Sequence, residues 1–183
     1  NPGFSSTKVA CFEGPVLMAE SDIHLSPDIP DSVAARVDSI LEWVGEHEYD
    51  MSSFDGIACR CGFIHPIPGG TYRIVPEMLH DLEHPRIDHA SNMSVAICMK
   101  LAAESGREQE LLMTTSDPVV TDEIEPVERL TGFNKIKRDG SGAHYLNHKA
   151  IHRVMSSLTD RATVDLDTVT DHLGRGISIV LHL

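Results

Sequence analysis

Residues 57–64 read I-A-C-R-C-G-F-I, an apolar strand interrupted by one arginine. An unpaired guanidinium inside such a strand costs about 3–5 kcal/mol to bury. Arg60 therefore either reaches the end of the strand and meets an anion, or pairs with a carboxylate in the core. The residues leave both open. Outward from this strand the pattern alternates. After the turn P-I-P-G-G-T (66–71) a helix is expected around Pro76–Leu82. From His89 to Ala103 a helical spacing returns, with Val95, Cys98, Met99 and Ala102 on one side, and L-L-M-T-T (111–115) reads as a buried strand.

The flanks continue the alternation. Residues 9–12 and 16–19 suggest two short strands around Glu13-Gly14-Pro15, and Asp31 is placed to cap a helix that carries Val33, Val37, Ile40, Leu41 and Val44. Further helices fit 123–131 and 143–158. The tail alternates over 164–169, turns at Gly174-Arg175-Gly176 and ends in the apolar run 177–181. Strands interleaved with helices argue for α/β rather than α+β or all-α. No repeat, low-complexity tract or flexible linker interrupts the chain.

A length of 183 residues suffices for one good core, or for one domain and a piece of another. The formal net charge of −13 argues against nonspecific binding to nucleic acid or to an anionic membrane. It also requires a local cluster of cations and helix N-termini wherever an anionic substrate binds. No apolar run has the length of a membrane span, and no basic-plus-apolar signal segment opens the chain. Cys11, Cys59, Cys61 and Cys98 lack a secreted-type framework, so they are expected as reduced thiols in a cytosolic protein.

Five further pieces could carry chemistry. The octapeptide N-P-G-F-S-S-T-K (1–8) can turn backbone N–H groups, hydroxyls and a lysine one way, as a phosphate site requires, or be a plain terminus. Asp117 follows the strand 111–115 and precedes Pro118; it can hold Mg2+ or act as a base, although Asp-Pro alone is an ordinary turn. His144, His148 and His152 share one helix face, which could bind metal; the simpler reading is one working histidine at the helix start and two solvated ones. His89 is either a first-turn anion ligand or a plain helix entry. The turn H-L-G-R-G-I-S (172–178) would let backbone N–H groups approach a phosphate, or close a common hairpin.

Taken in order, N-P-G-F-S-S-T-K, C-R-C-G (59–62), P-I-P-G-G-T-Y-R (66–73), H-A-S-N (89–92), D-P-V-V-T-D-E (117–123), H-Y-L-N-H-K-A (144–150) and H-L-G-R-G-I-S resemble the butyrate kinases of the acetate kinase family, within the actin-like ATPase superfamily. The resemblance implies an actin-like (ribonuclease H-like) domain over 1–158, with a mixed five-stranded sheet flanked by helices. Residues 159–183 would begin a second such domain with its first β-hairpin. It implies a cytoplasmic short-chain fatty acid kinase that transfers phosphoryl between ATP and a carboxylate, with Mg2+. In that frame Asn1, Ser6 and Lys8 serve a phosphate turn, and Arg60 holds the carboxylate or the transferring phosphoryl. His89 lies near the acyl pocket, Asp117 positions metal and substrate, and His144 acts at the transition state. His172, Gly174 and Gly176 form a second phosphate turn.

Four positions depart from the family pattern. Phe4 stands in place of a small hydroxyl residue, Cys61 in place of a glycine, Arg175 in place of a small or amide residue and Ala143 in place of an aromatic. The resemblance also implies roughly half of a two-domain kinase, with an exposed apolar strand edge, so the expected partner is a missing C-terminal half or another copy of the chain. The competing readings are a non-catalytic acyl- or phosphate-binding half-domain, an inert remnant, and, more distantly, a metal-dependent hydrolase on the histidine stripe.

Overall fold

The computed structural model describes residues 1–133, 135, 144–173 and 178–183. They form two compact units: Asn1–Ile64 with Thr71–Ser116, and His65–Gly70 with Asp117–Leu183.

In the first unit, β1 (Thr7–Glu13) and β2 (Val16–Ile23) make an antiparallel hairpin, with Gly14 at φ +56° in the turn. Helix α1 (Val33–Glu46) lays Val37, Ile40 and Val44 inward as the spacing predicts, with Trp43 beside them, while Val33 and Leu41 of the expected stripe are only partly buried. Its cap differs from expectation. The Ser32 hydroxyl accepts the Ala35 N–H at 3.1 Å, while the Asp31 carboxylate is drawn away to Arg36.

Strand β3 (Gly56–Cys59) runs parallel to β5 (Leu112–Ser116), and β4 (Thr71–Arg73) pairs antiparallel on the other side of β5. Helix α2 (Pro76–Glu83) starts with proline at its first position. Helix α3 (Ser94–Glu104) follows a short 3-10 turn, Ala90–Met93. Cys11, Val37, Ile40, Trp43, Val44, Ile97 and Leu101 form the core, so the hairpin and the two helices share one apolar interior. Each large side chain buried there contributes about 1.5–3 kcal/mol.

Three strand expectations change. The strand expected over 57–64 stops at Cys59, because residues after Arg60 leave the ladder to pack on Asn92. Strand β5 is only partly buried: Thr115 faces inward and Leu112 is exposed, while Leu111, just ahead of the strand, is buried. The expected five-stranded sheet is, among the described residues, a separate hairpin and a three-stranded sheet in the order β3-β5-β4. The edge of β1 away from β2 carries a short pairing of its own. Asn1 exchanges both backbone hydrogen bonds with Lys8, at 2.9 and 3.0 Å, and Pro2 bridges Thr7. That stretch of edge is already paired.

In the second unit, α4 (Tyr145–Thr159) precedes an antiparallel pair, β6 (Val169–Leu173) and β7 (Ser178–His182). The helix expected over 123–131 is a 3-10 turn, Pro126–Arg129, because Val127 and Leu130 have no core to enter and stay exposed. The alternation over 164–169 likewise gives a 3-10 turn, Thr163–Asp165. Only Leu166 of that run is buried, so the ladder begins later. Among the described residues no helix is long and apolar enough to cross a membrane.

Candidate functional site

In the first unit the octapeptide forms a turn held from behind by Arg36, a residue that is 2% exposed. Its guanidinium donates to Asp31 Oδ1 (2.6 Å) and Oδ2 (2.7 Å), to the Gly3 carbonyl (2.8 Å), to the Ser6 carbonyl (3.1 Å) and to Thr7 Oγ1 (2.8 Å). The bidentate contact holds the Asp31 carboxyl below its ordinary value. Lys8 is exposed and only loosely near Asp22, at 4.0 Å. Among the described residues the Ser6 hydroxyl makes no hydrogen bond.

Arg60 lies just beyond the carboxyl end of β3, half-buried. Among the described residues no carboxylate pairs with it, and burial pushes its pKa down. Of the two readings open at the outset, the core ion pair is not formed among the described residues. Asn1 lies nearby.

The turn after Arg60 needs Gly62. A Cβ there would stand 2.2 Å from Asn92 Oδ1 and 2.6 Å from its Cα, while the Phe63 N–H donates to that same Oδ1 at 3.0 Å. Cys61 turns into the core at 1% exposure, and burial pushes its thiol up to about 12. The departure from glycine at Cys61 is thus absorbed by packing. All four cysteines are free thiols, as expected.

His89 caps the turn Ala90–Met93, its Nδ1 accepting the Ser91 N–H at 3.1 Å. Its ring meets Phe4 edge-on at 4.9 Å and Phe63 at 5.8 Å. The bulk of Phe4 therefore leans on the very histidine singled out in the sequence.

In the second unit Asp117 is 5% exposed and sits at φ +39°, a left-handed conformation uncommon outside glycine and tolerated best by aspartate and asparagine. Gly70 donates its N–H to Asp117 Oδ1 at 2.9 Å, and the Asp117 N–H returns to the Gly70 carbonyl at 2.9 Å. Lys149 donates to the same Oδ1 and to Glu123 Oε1, each at 2.9 Å, and stands 5.5 Å from the centre of the Tyr145 ring. The ends of the Glu123 and Lys149 side chains lie against Gly69, where a Cβ would fall 1.8 Å from Glu123 Oε1 and displace them. Burial opposes the Lys149 charge, but its bonds to Glu123 and Asp117 outweigh that and raise its pKa.

The rings of His144 and His172 lie 4.6 Å apart, bringing two predicted residues from distant segments together. His144 is left-handed at φ +52°, ahead of α4. His148 and His152 are not the solvated pair expected. His148 is 2% exposed and bonds Thr170 Oγ1 at 2.6 Å; half-buried His152 bonds Thr168 Oγ1 at 2.6 Å. Residues four apart on a helix and two apart on an extended chain have similar spacing, so two histidines match two threonines. Burial, then the neighbouring His172, holds His148 below its ordinary pKa. Among the described residues no cluster of three metal-ligating side chains occurs. Gly174 and Gly176, with Arg175 and Ala143, lie outside the described residues.

The sequence reading missed Arg36, Lys149 and Glu123. For Arg36 a signal existed, since it stands four residues before Ile40 on the buried face of α1.

No family profile matches the chain. Individual relatives do, along its whole length. A probable butyrate kinase of Phocaeicola vulgatus is 36% identical over 190 aligned residues, one of Listeria innocua 34%, and butyrate kinase 2 of Clostridium acetobutylicum 32%. The chain is a homologue of the butyrate kinases. All of it aligns in each case, against 52% of the relative, so it spans about half the length of the curated relatives it matches. Arg60, Asp117, His144 and the turn at 1–8 all fall within that shared length.

Proposed function

We propose that the chain serves phosphoryl transfer between ATP and a short-chain carboxylate of the butyrate type, giving acyl phosphate and ADP. The observation that carries this reading is Arg60, a half-buried guanidinium at a strand end with no carboxylate partner among the described residues. A cation so placed is matched to an anionic ligand. Homology to proteins named butyrate kinases supplies the class of that anion.

In this reading residues 1–158 form one actin-like domain and residues 159–183 open a second. A carboxylate oxygen forms a bond to the γ-phosphorus, the bond from that phosphorus to the bridging oxygen breaks, and its electron pair leaves on ADP. No proton has to move, so the protein's work is positioning and charge neutralisation. Arg60 binds the carboxylate or the transferring phosphoryl, and His89 borders the acyl chain. In the first unit Asn1, Ser6 and Lys8 are assigned to a phosphate turn; in the second His172, with Gly174 and Gly176, is assigned to another, and His144 to the transferring phosphoryl. Asp117 keeps one oxygen for a hard cation: Lys149 and Gly70 occupy Oδ1 and Lys149 already meets part of the carboxylate charge, while Oδ2 makes no hydrogen bond among the described residues and is the oxygen proposed for Mg2+. Mg2+ held there would offset the charge of the phosphate oxygens.

The test is acyl phosphate formation from butyrate, ATP and Mg2+, trapped with hydroxylamine, beside Arg60→Ala and Asp117→Asn. Turnover lost in both variants is expected. Butyrate binding without turnover by folded protein would move the reading to a non-catalytic binding half-domain, and binding unaffected by Arg60→Ala would sink both.

A further inference from the structure

Arg36 uses every donor it has. A guanidinium carries five N–H groups, and all five are bonded, two to Asp31 and three to the octapeptide turn. Asp31 cancels its charge, so Arg36 has neither a donor nor a net charge left for a ligand. What it does instead is set the direction of the turn's peptide groups.

Two carbonyls of the turn, those of Gly3 and Ser6, point at the guanidinium. A third, that of Ser5, lies 3.1 Å from His24 Nδ1. In a trans peptide the C=O and the following N–H point in opposite directions. Holding the Gly3 carbonyl on Arg36 and the Ser5 carbonyl on His24 therefore turns the Phe4 and Ser6 N–H groups away from those two side chains. Among the described residues the backbone N–H groups of Phe4, Ser5 and Ser6 have no partner, whereas the Gly3 N–H is spent on the Ser6 carbonyl at 2.7 Å. A turn that offers successive N–H groups while the Gly3, Ser5 and Ser6 carbonyls are engaged elsewhere is suited to cradle an anion. One that let its carbonyls rotate outward would repel the same anion.

We infer that Arg36, clamped by Asp31, is the positioning residue that holds the first turn in its anion-accepting orientation. The inference rests on the reading that this turn receives phosphate. It adds a residue from helix α1 that touches no ligand, and it explains a buried arginine on an otherwise apolar helix face.

The experiment follows the backbone amide resonances of Phe4, Ser5 and Ser6 during titration with pyrophosphate, in the wild type, Arg36→Lys, Arg36→Met and Asp31→Asn. Unchanged amide resonances of Ile97 and Leu101 report an intact core. Saturable shifts of the three turn amides are expected in the wild type. Binding should weaken by about tenfold or more in Arg36→Met, with part of the loss recovered in Arg36→Lys. Should Arg36→Met fail to fold, Arg36→Lys and Asp31→Asn carry the test, each weakening binding by about threefold. Wild-type affinity in folded variants would overturn the inference, and so would turn amides that do not respond in the wild type. Acyl phosphate formation is scored separately. Activity with silent turn amides removes Arg36's role and keeps the kinase; responsive amides without activity do the reverse.

Discussion

Two arginines of the first unit stand in opposite conditions. Arg36, at 2% exposure, is bonded through all five donors, while Arg60, half-buried at the end of β3, is bonded to no carboxylate among the described residues. Burial costs both cations solvation. Arg36 recovers it from Asp31 and from three oxygen atoms of the turn, and so is finished as a ligand-binding group. Arg60 has no carboxylate partner among the described residues, and burial lowers its pKa. A buried charge already satisfied shapes the fold; one left unsatisfied is poised to gain from an anion. The same residue type thus does structural work at one place and is kept ready for chemistry at the other.

This contrast can be broken by experiment. Arg60→Met should lower acyl phosphate formation by at least about a hundredfold, the scale of losing a buried charge contact, while urea unfolding shows equal or greater stability. A large loss of stability in Arg60→Met would mean that it, too, is a structural cation. Arg36→Met should do the opposite and lower the unfolding free energy by about 3 kcal/mol, because Asp31 and the turn carbonyls lose their donor. Lys149 offers an intermediate case, with two carboxylate partners and partial exposure. Lys149→Ala should cost about 1–2 kcal/mol in thermal unfolding, and no change would reduce its bonds to surface pairs.

The smallest effect is expected from pH. The Asp31 carboxyl is held below its ordinary 3.8, chiefly by its hydrogen bonds to Arg36. Its contribution is therefore fully present above about pH 4 and is lost as pH falls through the lower folded value. Melting curves of the wild type and Asp31→Asn should differ at neutral pH and converge under acid. A constant gap would contradict the clamp.

How much was legible in advance varies with how local the cause is. The stripe of α1, the hairpin around Gly14 and the strand–helix–strand alternation follow from spacing, because neighbours in sequence remain neighbours in a helix or hairpin. The failures occur where a partner comes from far away. Asp31 has the right chemistry for a cap, but Arg36 claims it, and Ser32 caps instead. Residues 123–131 and 164–169 have acceptable patterns but too little buried surface to hold a helix or a strand there. His148 and His152 looked like solvent-facing residues until two threonines met them.

The candidate site divides in the same way. Its residue types were readable: a lone arginine in an apolar strand, an aspartate before proline, a turn rich in hydroxyls, a histidine ahead of a helix. Sequence alone determined that these groups exist, that the chain is α/β, and that its motifs follow the order of a carboxylate kinase. Only the tertiary structure decided which charges were already spent. Whether a guanidinium or a carboxylate is free depends on hydrogen-bond partners tens of residues away, such as Gly3 for Arg36 and Lys149 for Asp117. Those pairings arise from packing, and no local pattern records them.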